Sequence, residues 1–520
     1  MGNNKKTILF LFLILLIASF FRLWHLNSIP PGLYPDVAMN GNNALEAIKT
    51  GDYKIFYPEN NGREGLFINL QALSLKIFGI HIWSLKIVAA LIGILTVLGL
   101  YLLTKELFLK IYNSRIIALL STLFLAISFW HVNFSRIGFR AIMVPFCLVW
   151  SFYFLFKIIN ANSSILYPLL AGFFFGLGFH TYIAFRMAVI ILAVPIIWMV
   201  LDFLKKGGLK WQYGLWILAI ILTALPIGLY FLHNPQDFIG RAGGVSIFSQ
   251  ENPAKALISS TVKTLGMFNF RGDWNWRHNF SGSPELFWPV GILFIIGLIF
   301  SIKKLIKSIK EKNSYSFLIF SFLLIWFAVM LLPAILTYEG IPHAIRSIGV
   351  IPAVYIFAGL GAYIVYKFLQ SKKINKSFLI IVCLLFLLAC GYAEYDKYFI
   401  NWANKPDVAN AFAKDYLEIG EYLKTLPPNT VKYVIVNQSG TLVNNIPMPA
   451  QTVMFVEQTT PKIQDKPIEY LLPDEINKIK STGKLVVIPL GYDKQLFEAL
   501  KEKFPRGEIK SHQYFWSFEI

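Results

Sequence analysis

Long apolar runs alternate with short polar segments along the first three quarters of the chain. The runs cover approximately 7–26, 82–104, 115–131, 141–158, 165–180, 184–203, 212–232, 286–302, 316–336, 345–369 and 377–394. Stretches such as 7–23 and 317–336 carry no charge except at their edges. Each is long enough to cross a hydrocarbon core of roughly 30 Å as a helix rising about 1.5 Å per residue. The pattern predicts about eleven transmembrane helices. The first run outlasts a secretory h-region and no small-x-small cleavage pattern follows it, so it reads as an uncleaved span.

Beyond about residue 395 the pattern changes. Long apolar runs stop and charges of both signs appear. Residues 408–424 read as an amphipathic helix, 431–436 and 484–489 as strands, and 474–481 and 493–503 as helices with an acid in the first turn. The predicted organisation is therefore an all-α polytopic membrane domain, 1–395, and a small soluble α/β domain, 396–520. The role expected for the tail is a cap or a partner-binding module.

The segment between the first two spans, 27–81, is unlike the other connections. Residues 36–50 read as a helix stopped at Gly51, and 67–78 as a short amphipathic helix stopped at Gly79. Such helices lie in the membrane interface, so this loop is expected to form a structured shelf.

Composition and charge sharpen the topology. The 520 residues are 56% hydrophobic and 16% aromatic, too apolar for an ordinary soluble globule. The net charge of +19 would suit a nucleic-acid binder if it were clustered on one face. Instead one alternating set of connections carries a basic excess with few acids: Lys5 and Lys6; Lys105, Lys110 and Arg115; Lys157; Lys205, Lys206 and Lys210; 303–312; and Lys372, Lys373 and Lys376. By the positive-inside rule those connections are cytoplasmic, and no nucleic-acid partner is expected. The shelf, the other connections and the tail then face outward, with the N-terminus inside. Cys147, Cys383 and Cys390 lie in apolar runs, where thiols pack, and their spacing suggests neither a disulfide framework nor a zinc site.

The outward connections carry arginine where the inward ones carry mostly lysine. The outward cations are Arg63, Arg136, Arg140, Arg186, Arg241, His343 and Arg346, with Arg271, Arg277 and His278 beside Trp274 and Trp276. Singly, each reads as a side chain reaching for headgroups. Together they suit phosphate, which a guanidinium fork recognises better than an ammonium. Asp36 follows Pro30-Pro31-Gly32 at the start of a helix. It reads either as a helix-start carboxylate worth about 0.5–2 kcal/mol or as a general base for an acceptor hydroxyl or amine. Tyr34, Asn40, Glu59, Glu64, Trp274, Trp276 and Glu339 are candidate sugar or acceptor contacts, although an interfacial belt is the commoner explanation for the tryptophans and a surface ion pair the plain reading of Arg63-Glu64. No P-loop, HExxH, GxSxG or CxxC motif occurs.

Asp36, the stretch Asn43-Ala44-Leu45-Glu46-Ala47-Ile48-Lys49-Thr50-Gly51-Asp52, Arg63-Glu64-Gly65-Leu66, Leu73 to Gly79 and Tyr101 to Phe108 resemble the family 39 membrane glycosyltransferases. That family includes the protein O-mannosyltransferases and lipid A aminoarabinose transferases. The resemblance covers roughly the first 160 residues. It implies a GT-C-like fold, a polyprenyl-phosphate sugar donor, a lipid, glycan or protein acceptor, inverting transfer and an external active site. It places Asp36 at the first acid of the family's Asp-Glu pair, with Val37 replacing the second. Arg63 takes the position of the lysine in the family's Lys-Pro-Pro-Leu. Arg140 and Ala141 stand where relatives carry an acid after the third span. A divalent metal is compatible with this chemistry, but these residues do not call for one. The expectation is a glycosyltransferase with Asp36 as base and the outward cations on the donor phosphate. The rival readings are a transporter or flippase of a lipid-linked glycan and a non-catalytic sensor. A transporter would need no carboxylate fixed in an external loop, and it would more often show mid-membrane ionisable groups or a half-repeat.

Overall fold

The structure, a computed structural model, describes residues 2–160, 164–207, 210–372, 374–459, 466–481 and 483–520. Lys373 lies outside the described residues, as do the side chains of Lys206 and Arg241. The chain divides into two compact units. One is Met1–Trp24 with Ala89–Trp402, and the other is His25–Val88 with Ala403–Ile520.

Nearly all of the first unit is helix. Among the described residues, the chain has nine helices long and apolar enough to cross a bilayer, and a further pair bent by 55°, Ser114–Ile127 and Phe129–Ile137, has the form of a broken span or of a re-entrant loop. Every run expected to span is helical, but the run at 165–180 is a helix of only 13 residues, Leu166–Gly178. It packs instead along Trp211–His233. Gly172 and Gly176 lie so close to Trp216, Ala219, Ile220 and Thr223 that a Cβ would collide with that helix. Small residues that let backbones approach are the usual means of joining helices in lipid.

The bend at Ser128 is held by side chains from three other helices. Arg22 donates to the carbonyls of Ala126 at 2.9 Å and Leu125 at 3.4 Å, and to Nδ1 of His131 at 2.7 Å. Glu394 Oε2 accepts the Phe129 N–H at 3.2 Å, and the Tyr355 hydroxyl donates to Ser128 Oγ. A broken helix in an apolar layer exposes backbone groups that water cannot reach, so the breaks persist where protein groups satisfy them.

In the second unit the tail forms a five-stranded sheet in the order Ile468–Leu471, Val431–Ile435, Leu485–Pro489, Trp516–Glu519, Glu508–Ser511. The first three strands are parallel and the last two antiparallel additions. Alternate residues face opposite layers, as a pleated strand requires. Val434 and Ile488 pack against Ile419, Leu423 and Val453, whereas Ile435 and Val487 pack against Leu496, Phe497 and Leu500. The expected helix at 408–424 is interrupted at Ala413, whose φ is 51°, leaving Pro406–Ala411 and Lys414–Thr425. The stretch at 474–481 is a short 3-10 turn, Pro473–Lys478.

Residues 25–88 fold with this tail. Thr452 Oγ1 donates to the Leu33 carbonyl at 2.8 Å, and Asn42 Nδ2 to the Gln451 carbonyl at 3.1 Å. Gly32, at φ 78°, lies against the backbone of Phe412 and Lys414, where any side chain would clash. The shelf helices are Pro35–Thr50, closed by Gly51 at φ 77°, and Leu66–Phe78, as the pattern predicts.

Candidate active site

Pro35 opens the first shelf helix at a position where its missing N–H is not needed. Tyr34 is the N-cap residue, with no side-chain capping bond. Asp36 is therefore in the first turn and is not the cap. Its carboxylate is half-buried, and Asn60 Nδ2 donates to Oδ1 at 2.6 Å. Among the described residues, no hydrogen-bond partner is found for the second oxygen. The turn carrying Asn60 is strained in the manner of functional loops: Asn60, Asn61 and Gly62 have φ of 52°, 62° and 81°. It precedes Arg63, which pairs Arg63–Glu64 antiparallel with Phe56–Tyr57. The result is a carboxylate steadied on one oxygen beside the positive end of a helix.

Arg63 does different work. It is 2% exposed, and its guanidinium donates to Asn40 Oδ1 at 2.7 Å, Asn43 Oδ1 at 2.8 Å and the Glu59 carbonyl at 3.4 Å. Glu59 adds an ion pair at 3.6 Å, and the Tyr57 ring lies 5.7 Å away. These bonds fasten the turn bearing Asn60 to the helix bearing Asp36. The buried Asn40 and Glu64 thus belong to the inside of the shelf, and Glu59, with its side chain 36% exposed, lies at its edge. Tyr34 is half-buried at the helix entry.

The first unit sorts the other cations. Arg136 is fully buried, donates to the Phe21 and Trp24 carbonyls at 2.9 and 2.6 Å, and stacks on Phe399 at 5.2 Å. It closes the C-terminus of the first span. Arg140 lies over Tyr182 at 5.5 Å in a 3-10 turn. Arg186 stands at an apolar cavity of about 580 Å³ lined by Phe179, Val189, Ile227, Phe231 and Phe238, with its guanidinium on the Phe238 carbonyl at 2.6 Å and over that ring at 4.1 Å. Among the described residues it is the cavity's only charged lining residue. Arg346 donates to Thr337 Oγ1 and the Glu339 carbonyl, both at 2.8 Å, and meets the exposed Glu339 carboxylate at 3.8 Å. Trp274 is exposed and packs over Gly282. Trp276 is half-buried against Phe280 at 5.2 Å.

A cluster absent from the sequence reading lies beside Arg277. Asp273, 2% exposed, places Oδ2 2.9 Å from His278 Nδ1 and 3.8 Å from His343 Nδ1, and it accepts the Ala344 N–H at 2.8 Å. Glu285 accepts the Asp273 N–H at 2.9 Å. Burial, with Asp273 adjacent, pushes the Glu285 carboxyl well above its ordinary range. Asp273 and His278 share one loop and could have been noticed there. His343 is remote in the chain and only folding brings it in.

The arrangement is a GT-C-type fold, a polytopic helical bundle joined to a small sheet domain. Residues 66–228 match the family model described as dolichyl-phosphate-mannose-protein mannosyltransferase. No curated protein sequence matches the chain. Among solved structures, ArnT from Cupriavidus metallidurans bound to undecaprenyl phosphate is similar with a TM-score of 0.54 at 14% identity, covering 100% of this chain and 98% of that one. The Archaeoglobus fulgidus oligosaccharyltransferase in the apo form gives 0.54 at 15% identity, over 87% of this chain and 64% of that one. Archaeoglobus fulgidus AglB in complex with an inhibitory peptide and a dolichol-phosphate gives 0.52 at 18% identity, over 88% and 64%. The chain thus spans under two thirds of the archaeal oligosaccharyltransferase.

Proposed function

We propose that the protein is an integral membrane glycosyltransferase that moves a sugar from a polyprenyl-phosphate donor to an acceptor at the external membrane surface. The observation that carries this reading is Asp36: a half-open carboxylate, one oxygen fixed by Asn60, on a shelf built around a buried arginine. The fold it shares with ArnT and AglB, solved with prenyl phosphates, supports the same reading.

In the proposed reaction Asp36 removes the proton of an acceptor hydroxyl or amine. The freed lone pair attacks the anomeric carbon from the side opposite the phosphate. The carbon–oxygen bond to phosphate breaks, its electron pair leaves with the prenyl phosphate, and the anomeric configuration inverts. Charge grows on the leaving phosphate, and fixed cations stabilise that charge more in the transition state than in the ground state. Arg140, Arg186 and Arg346 are proposed for this role, with Arg241 added on its sequence position alone. Arg63 and Arg136 are occupied in holding backbone and amide groups. Arg186, a cation on an otherwise apolar cavity lining among the described residues, suits a ligand with an anionic head and a hydrocarbon tail. The proposed orientation has the N-terminus cytoplasmic and the tail external.

The test is purified protein with a panel of polyprenyl-phosphate hexoses and pentoses, assayed for released prenyl phosphate and glycosylated acceptor, beside Asp36→Asn. Transfer by the parent and its loss in Asp36→Asn support the reading. Full transfer by Asp36→Asn refutes the base assignment, and movement of lipid-linked glycan across vesicles without transfer favours a transporter.

A further inference from the structure

We infer that Asp273, His278 and His343 form a binding site for a divalent transition metal, with Zn²⁺ the best match. One ligand atom from each residue lies within 4.8 Å of the others. Oδ2 of Asp273 stands 2.9 Å from His278 Nδ1 and 3.8 Å from His343 Nδ1. Those separations bracket the edge of about 3.3 Å expected for a tetrahedron with ligand distances of about 2.0–2.1 Å. Two imidazoles and one carboxylate form a borderline donor set that suits zinc and leaves one position for water or another ligand.

The surroundings are those of a built site. Asp273 Oδ1 accepts the Asn275 N–H at 2.8 Å and Oδ2 the Ala344 N–H at 2.8 Å, so the carboxylate is aimed before any ion arrives. The two imidazole rings are 5.0 Å apart, and Phe134 packs on His278 at 5.7 Å. Metal ligands are generally oriented by such outer partners.

An independent observation is the concentration of buried acceptors beside the site. Glu285 is 1% exposed; one oxygen accepts the Asp273 N–H, and the other is buried with no hydrogen-bond partner among the described residues. Two carboxylates therefore meet in one buried loop. The nearby Lys397, whose Nζ donates to the Pro284 carbonyl at 3.4 Å, supplies one positive charge. A buried carboxylate such as Asp273 is costly unless its charge is compensated, and a cation held at its Oδ2 supplies that compensation. The ion would clasp the loop ahead of Trp288–Lys310 to the loop carrying Ala344 and Arg346.

The experiment uses the full chain in detergent, free of any histidine tag and stripped with a chelator. Zn²⁺ is titrated calorimetrically and Co²⁺ followed by visible absorption, with no sugar donor present, so the outcome is independent of the glycosyltransferase reading. The expected result is one saturable site per chain and the intense ligand-field bands of four-coordinate cobalt. His343→Ala, at the less buried edge of the cluster, should weaken Zn²⁺ binding by more than about 100-fold, beyond the 10–100-fold typical for losing an outer-shell partner. His81→Ala, elsewhere in the chain, should bind as the parent does. Should His278→Ala fail to fold, His343→Ala carries the test alone. Absence of saturable binding in the parent, or parental affinity in His343→Ala, overturns the site.

Discussion

Asp36 and Asp273 are both loop-side carboxylates, and their surroundings are opposite. Asp36 is half-buried and holds one hydrogen bond, from Asn60. Asp273 is almost wholly buried, takes two backbone N–H bonds and stands against two histidines. A general base must keep a lone pair open to substrate, and of these two acids Asp36 is the one with an oxygen for which no partner is found among the described residues. A buried carboxylate aimed by backbone N–H groups at two imidazoles is placed to fix structure or a cation. The arginines repeat the contrast. Arg63 and Arg136 are buried and saturated by protein oxygens, whereas Arg186 and Arg346 stand at a cavity and at an exposed loop.

The largest effect expected from this contrast is on transfer. Asp36→Asn keeps an oxygen for Asn60 and should lower the turnover number by about 10²–10⁴-fold with an unchanged melting temperature. Equal losses of turnover and of stability would erase the distinction between the two acids. Arg346→Gln should come next, at about 10²–10³-fold in kcat, if its guanidinium meets the leaving phosphate. Asp273→Ala should act on stability: two N–H groups and a buried histidine lose their acceptor, for about 3 kcal/mol or more, read as a fall in unfolding temperature. Arg63→Ala should cost about 3 kcal/mol by leaving Asn40 and Asn43 facing a cavity, and added phosphate analogues should not restore it.

The smallest effect concerns pH. Burial raises the Asp415 carboxyl above its ordinary value. Between the unfolded value, about 3.9, and the raised folded one, the folded state binds more protons. This group's contribution to stability is therefore complete below the unfolded value and is lost as pH rises through the folded one. Asp415→Asn should flatten that part of a stability–pH profile. An unchanged profile would mean that the half-buried position behaves as if solvated.

The spans were legible because apolar length is a local property. The two Gly-stopped shelf helices were legible for the same reason, as were strands Val431–Ile435 and Leu485–Pro489. The roles of the arginines were not. Asn40 and Asn43, three positions apart on one helix face, meet Arg63 only after the loop turns back at Asn60-Asn61-Gly62. Arg22 escaped notice at the end of an apolar run, although it holds the bend near Ser128. The short helix Leu166–Gly178 was read as a span because hydropathy records apolar content and not where a helix breaks.

The sequence by itself determined that this chain is a polytopic helical protein with a structured polar shelf and an α/β tail. Hydrophobic length and period act within a few turns of the backbone, so they need no partner to be read. Only the tertiary structure decided that the shelf folds with the tail, that Arg63 and Arg136 are internal fasteners, and that His343 joins Asp273 and His278. Those facts depend on which donors and acceptors meet across long sequence separations. A buried charge is tolerated only where such meetings satisfy it.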